Sequence, residues 1–111
     1  MRNTEEVVND HLQALSEGLE AILSDYDETS LIIGPERNFK GLEEISILFT
    51  GLLEAMAAGV LNNFKVSRTV FDGELAYFTW EAKPLWPMAT DTFIVKDGKI
   101  LHQTFAMYAN G

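Results

Sequence analysis

Three side chains stand out as candidates to move a proton: Asp91, His11 and His102. Asp91 lies in Thr90-Asp91-Thr92-Phe93, a stretch that reads as mid-strand, where aspartate is disfavoured. Such a residue either faces water or a basic side chain at a strand edge, or it is enclosed. If enclosed, desolvation disfavours its charged form, and the protonated acid can donate to developing negative charge. His11 belongs to the stripe Val7, Val8, His11, Leu12 and Leu15, whose helical spacing turns it inward. There it is either a core histidine bonded to backbone or a pocket group that can donate from either ring nitrogen. His102 depends on register. A two-residue Asp97-Gly98 turn places it on the face of Asp91, as an acid/base pair. A three-residue loop Lys96-Asp97-Gly98, with a bulge at Gly98, places Leu101, Gln103, Phe105 and Met107 there instead. One residue of slip inverts the face.

Elements must hold these groups. The stripe containing His11 predicts one short helix, and Leu19, Ile22, Leu23 and Tyr26 predict a second after Gly18. Thr29 to Gly34 predicts a short buried strand ended by Gly34-Pro35, and Arg37 to Gly41 a connection. Leu42 to Ala58 is the longest helix, with Gly59 as its C′ residue. The period then becomes two. Phe64–Phe71 and Glu74–Lys83 flank Asp72-Gly73, and Met88–Lys96 and Lys99–Tyr108 flank Asp97-Gly98, as two hairpins. Pro84 to Pro87 interrupts the pattern between them. From Ala76 on, one strand face carries Ala76, Phe78, Trp80 and Ala82, and the other begins Leu75, Tyr77, Thr79. A sheet apolar on both faces needs both covered. Helices cover one, and a second copy of the chain is expected to cover the other, giving a homodimer through the sheet.

Composition narrows the function classes. The 111 residues fit one domain, 1–111, and 47% are hydrophobic, enough for a core. The net charge of -9 disfavours nucleic acid and anionic lipid as partners. No apolar run is long enough to span a membrane, and the acidic start lacks the apolar region of a secretory signal. A cytoplasmic location follows as the expectation. With 0 Cys and two isolated histidines, no metal is expected; no phosphate loop follows a strand, and no cofactor is expected.

The order helix, helix, strand, Phe39-Lys40-Gly41-Leu42-Glu43-Glu44-Ile45, helix and four long strands resembles the NTF2-like superfamily, in its SnoaL-like and ketosteroid isomerase-like branch. Ala14–Tyr26, Phe39–Phe49 and Thr90–Phe93 through Ile100 carry the resemblance, which extends over nearly the whole chain. It departs at Gly18, which passes straight to Leu19. The resemblance implies a cone-shaped α+β barrel, with N-terminal helices in the concave face of a curved, mostly antiparallel sheet and a pocket at the wide end. It does not imply one activity, because the superfamily includes isomerases, cyclases, dehydratases and non-enzymatic binding proteins.

Resemblance to ketosteroid isomerase places Asp91 on a buried acid that donates to the substrate oxyanion, a carboxyl kept neutral by its apolar site. It places His11 on the other oxyanion donor, a tyrosine in that enzyme. It favours the register that turns Gln103 into the pocket and His102 away; the other register gives a dehydratase-like pair of Asp91 and His102. It also implies an apolar lining of Phe78, Trp80, Phe93, Phe105 and Met107, with Tyr26 and Phe49 from the helices and Trp86 at the mouth. The isomerase's general base is missing. Its position, just after the first strand, is Gly34, and the next carboxylate, Glu36, is displaced behind Pro35. The expected ligand is a small apolar molecule with a polar group. Two readings stay open: a cofactor-independent acid/base enzyme on a carbonyl-bearing substrate, and a non-catalytic binding or dimerisation domain.

Overall fold

The computed structural model describes residues 1–109. Three helices, α1 (Thr4–Ala14), α2 (Leu19–Leu23) and α3 (Gly41–Ala57), accompany six strands: β1 (Leu31–Ile33), β2 (Asn38–Lys40), β3 (Phe64–Asp72), β4 (Leu75–Ala82), β5 (Trp86–Lys96) and β6 (Lys99–Tyr108). The strands form one curved sheet in the order β2-β1-β6-β5-β4-β3. Every pairing is antiparallel except β1 with β6. The architecture is the α+β arrangement expected, with helices packed against the sheet. Among the described residues no helix is long and apolar enough to cross a membrane.

Local signals explain most boundaries. Asn3 caps α1 in a reciprocal capping box with Glu6, which satisfies two otherwise orphaned amides. Gly59 takes the left-handed conformation that ends α3. In β4, Ala76, Phe78, Trp80 and Ala82 are buried and their neighbours are not, so the period-two pattern points its bulky apolar face at the helices. Val7, Val8, Ile22, Ile45 and Phe49 close over that face from the helices.

Two expectations need correction. The connection from Arg37 to Gly41 contains strand β2, which pairs with β1 and buries Phe39 between two exposed neighbours. Three residues are too few for alternation to show in sequence. The prolines after β4 shorten the sheet less than expected. Strand β5 begins at Trp86 and passes through Pro87, with a register shift against Trp80–Ala82 at the point where Pro87 has no N–H to give.

The last hairpin decides the site. Its turn has two residues, since Lys96 pairs with Lys99 and both Asp97 and Gly98 have positive φ, 53° and 75°. Val95 pairs with Ile100, but Ile94 pairs with His102, so Leu101 is an extra residue in β6. This bulge inverts every later face. Gln103, Phe105 and Met107 therefore share the face of Asp91, and His102 is exposed on the other. The favoured facing holds, but the three-residue loop does not. The slip occurs at Leu101, beyond the turn.

Candidate functional site

Helix α3 and the inner faces of β4, β5 and β6 border two adjoining cavities of about 370 Å³ and about 250 Å³. Phe49, Leu52, Trp80, Asp91 and Gln103 line both, so the two are lobes of one mostly apolar chamber. Gly51 and Ala55 make room on α3: a Cβ added at Gly51 would meet nothing within 4 Å. Trp86, Phe105 and Met107 wall the larger lobe, and His11, Phe78 and Phe64 the smaller.

Asp91 stands where the lobes meet. Trp80 Nε1 donates to its Oδ1 at 2.8 Å, and Gln103 Nε2 to its Oδ2 at 2.9 Å. Gln103 is held in turn by the Tyr26 hydroxyl, which donates to its Oε1. Desolvation pushes the Asp91 carboxyl up from its ordinary 3.8 to about 6, against the opposing pull of the Trp80 and Gln103 hydrogen bonds. At neutral pH it is therefore a carboxylate with both oxygens fixed and lone pairs to spare. The donor role implied by resemblance belongs to the protonated form, below about pH 6. Burial, and then the charges of Asp91 and Asp25, hold the Tyr26 phenol well above its usual range, so it stays a donor.

His11 is buried in an aromatic box. Tyr26, Phe49 and Phe93 meet its ring edge-on at centroid distances of 5.7, 5.6 and 5.7 Å. Desolvation lowers its pKa to about 4, so it is neutral at pH 7. Its one charged neighbour is Asp25, whose Oδ2 lies 3.9 Å from Nδ1. The other oxygen of Asp25 accepts from Arg2 at 2.9 Å. Burial raises the Asp25 pKa, and the Arg2 hydrogen bond and charge oppose that rise.

The expected residues divide by position. Asp91, His11, Phe49, Phe78, Trp80, Trp86, Gln103, Phe105 and Met107 line the chamber. Tyr26 and Phe93 do not: both are buried behind the wall, against His11. Tyr26 reaches the site only through Gln103. The position after β1 where the isomerase carries its base holds no carboxylate, and Gly34 leaves no space for one there. A Cβ there would lie 2.8 Å from Phe105 Cζ, so that ring fills the position. Glu36 is exposed and borders a different groove. Sequence reasoning missed Asp25 and Arg2, because what makes them matter is a contact across 23 residues that no local pattern encodes. It also missed the small residues of α3, although Gly51 inside a helix was a readable signal.

No family sequence model matches the chain, and no curated protein matches it. Solved structures do. An NTF2-like protein from Burkholderia xenovorans is 20% identical with a TM-score of 0.72, covering 97% of this chain and 84% of its own. A candidate isomerase of the SnoaL-like family from Agrobacterium tumefaciens is 12% identical with a TM-score of 0.68, covering 97% and 99%. A ketosteroid isomerase-like protein from Erwinia carotovora is 14% identical with a TM-score of 0.61, covering 96% and 95%. The chain has the NTF2-like fold.

Proposed function

We propose that this chain is a small-molecule enzyme of the SnoaL-like kind, in which Asp91 abstracts a proton from an apolar carbonyl compound. The observation that carries the reading is a carboxylate with a pKa of about 6 on the wall of an apolar chamber, oriented by Trp80 and Gln103. A base near the working pH combines availability with driving force. Fixed donors keep its oxygens aimed, which lowers the reorganisation needed for reaction.

The same walls restrict the substrate. The Trp80 N–H and one of the two Gln103 amide protons are already spent on Asp91, and the hydroxyl of Ser16 donates to Gln13 O. Few donors remain for an oxyanion. The carbanion must therefore spread its own charge, as the enolates of aryl ketones and 1,3-dicarbonyl compounds do.

Deuterium exchange at C1 of 2-tetralone, followed by NMR in D₂O, tests this. The wild type should accelerate exchange by about 10²-fold or more over buffer, through a group titrating near pH 6, and Asp91→Asn should remove that acceleration. Equal exchange by wild type and variant, with the ketone still bound, would leave a non-catalytic binding domain as the answer.

The partner in this reading is a second copy of the chain. Leu75 is 37% exposed on the sheet's outer face, beside Tyr77 and Ile94. This apolar patch faces away from the helices.

A further inference from the structure

We propose that His11 is a ligand-binding residue whose Nε2 accepts a hydrogen bond from a hydroxyl on the bound molecule. The chamber would then select carbonyl compounds bearing a hydroxyl remote from the carbon facing Asp91. This rests on the reading of Asp91 given above.

The starting observation is a buried imidazole with unspent polarity. His11 is 4% exposed and lines the smaller lobe. Among the described residues Nδ1 is a buried nitrogen without a hydrogen-bond partner, no hydrogen bond reaches Nε2 on the side of the lobe, and the three ring neighbours meet the imidazole edge-on. Buried polar groups in folded proteins are rarely left this way, and an exception calls for a cause.

Asp25 decides which nitrogen is free. A neutral imidazole carries one proton, and Asp25 Oδ2, also unpartnered, faces Nδ1 at 3.9 Å. Arg2 against its other oxygen opposes the rise that burial imposes on the Asp25 carboxyl, and the ionised form favours N–H over a lone pair opposite it. The proton sits on Nδ1, and Nε2 is left as an acceptor. Around His11, Leu12, Leu15 and Phe78 are apolar, the hydroxyl proton of Ser16 goes to Gln13 O, and the one hydrogen bond that the Gln103 amide nitrogen makes is to Asp91. A ligand must supply the donor, and a carbonyl oxygen placed there would be repelled.

Spacing sets the scale. Phe93, whose ring is 5.7 Å from that of His11, follows Asp91 by two positions on one strand face, about 7 Å along the strand. A fused two-ring skeleton, about 7 Å long, is the probe matched to that strand spacing.

The test compares 2-tetralone with 6-hydroxy-2-tetralone by titration calorimetry on the full chain. The hydroxyl should improve wild-type affinity about tenfold, as expected for a buried acceptor gaining its donor. His11→Phe should abolish that gain, so that the variant binds 2-tetralone and 6-hydroxy-2-tetralone with affinities within about twofold of each other. Nitrogen-15 NMR of the unliganded protein should show Nδ1 protonated and Nε2 bare. A gain that survives His11→Phe, no gain in the wild type, or a proton on Nε2 would overturn the proposal. If His11→Phe does not fold, Asp25→Asn serves: it should reduce the hydroxyl gain, and a full gain retained would overturn the assignment. The imidazole spectrum needs no ligand, and loss of deuterium exchange in Asp91→Asn is read separately. Failure of this proposal and failure of the Asp91 reading are therefore distinguishable.

Discussion

Replacing Asp91 with Asn should stabilise the protein, increasingly as pH rises above about 4. The folded carboxyl titrates at about 6 against an ordinary value of 3.8, so the folded state binds this proton more tightly than the unfolded chain. Stability therefore falls as pH rises between those two values, and the loss is complete above the higher one. At about 1.4 kcal/mol per pH unit of displacement, holding the charge in the chamber costs ~3 kcal/mol at pH 7.5. Asparagine matches the protonated acid in shape and hydrogen bonding. Trp80 can donate to its Oδ1, and the Gln103 amide can turn to accept from its Nδ2. The two proteins should be nearly equal in stability at about pH 3 and differ by ~3 kcal/mol at pH 7.5, roughly 10 °C in Tm. Urea unfolding of both proteins across this range measures the difference, and groups common to both cancel. A difference that stays flat with pH would mean that the carboxylate is as well solvated folded as unfolded, and the desolvation argument would fail.

Two further outcomes concern the walls and the partner. Gly51→Ala places a methyl where nothing lies within 4 Å and removes the entropic cost of glycine inside α3, so Tm should rise by the equivalent of about 0.5–1 kcal/mol; a lower Tm would show the lobe to be closed there. Tyr77→Glu puts a charge at the centre of the outer apolar patch and should convert a dimer to a monomer in light scattering, with unchanged circular dichroism. A wild type already monomeric at micromolar concentration would remove the second copy from the reading.

The site was partly legible in advance because strand periodicity is a local property. Alternation placed Phe78 and Trp80 on one face, and a lone aspartate in Thr90-Asp91-Thr92 marked an anomaly worth explaining. The helical stripe turned His11 inward. What alternation could not give was the phase of β6. Two turn geometries fit Lys96-Asp97-Gly98-Lys99, and the facing that occurs arises from a bulge at Leu101 that neither turn requires. Burying Ile100 beside Val95 while also turning Gln103 toward Asp91 demands one extra residue. Tyr26 was legible as apolar but not as the anchor of Gln103, because its partner lies 77 residues away.

The sequence by itself determined the elements and their inward faces, since each depends on spacings of two to four residues that chain geometry imposes locally. It also determined that no base follows the first strand, because Gly34 carries no side chain. The tertiary structure alone decided the chemistry of the groups that remain. The ionisation of Asp91 is set by how much water its neighbours exclude and by Trp80 and Gln103 on other strands. The tautomer of His11 is set by Asp25, a residue on another segment. Proton affinities depend on the field and solvation at a point in space, and residues distant along the chain converge there only when it folds.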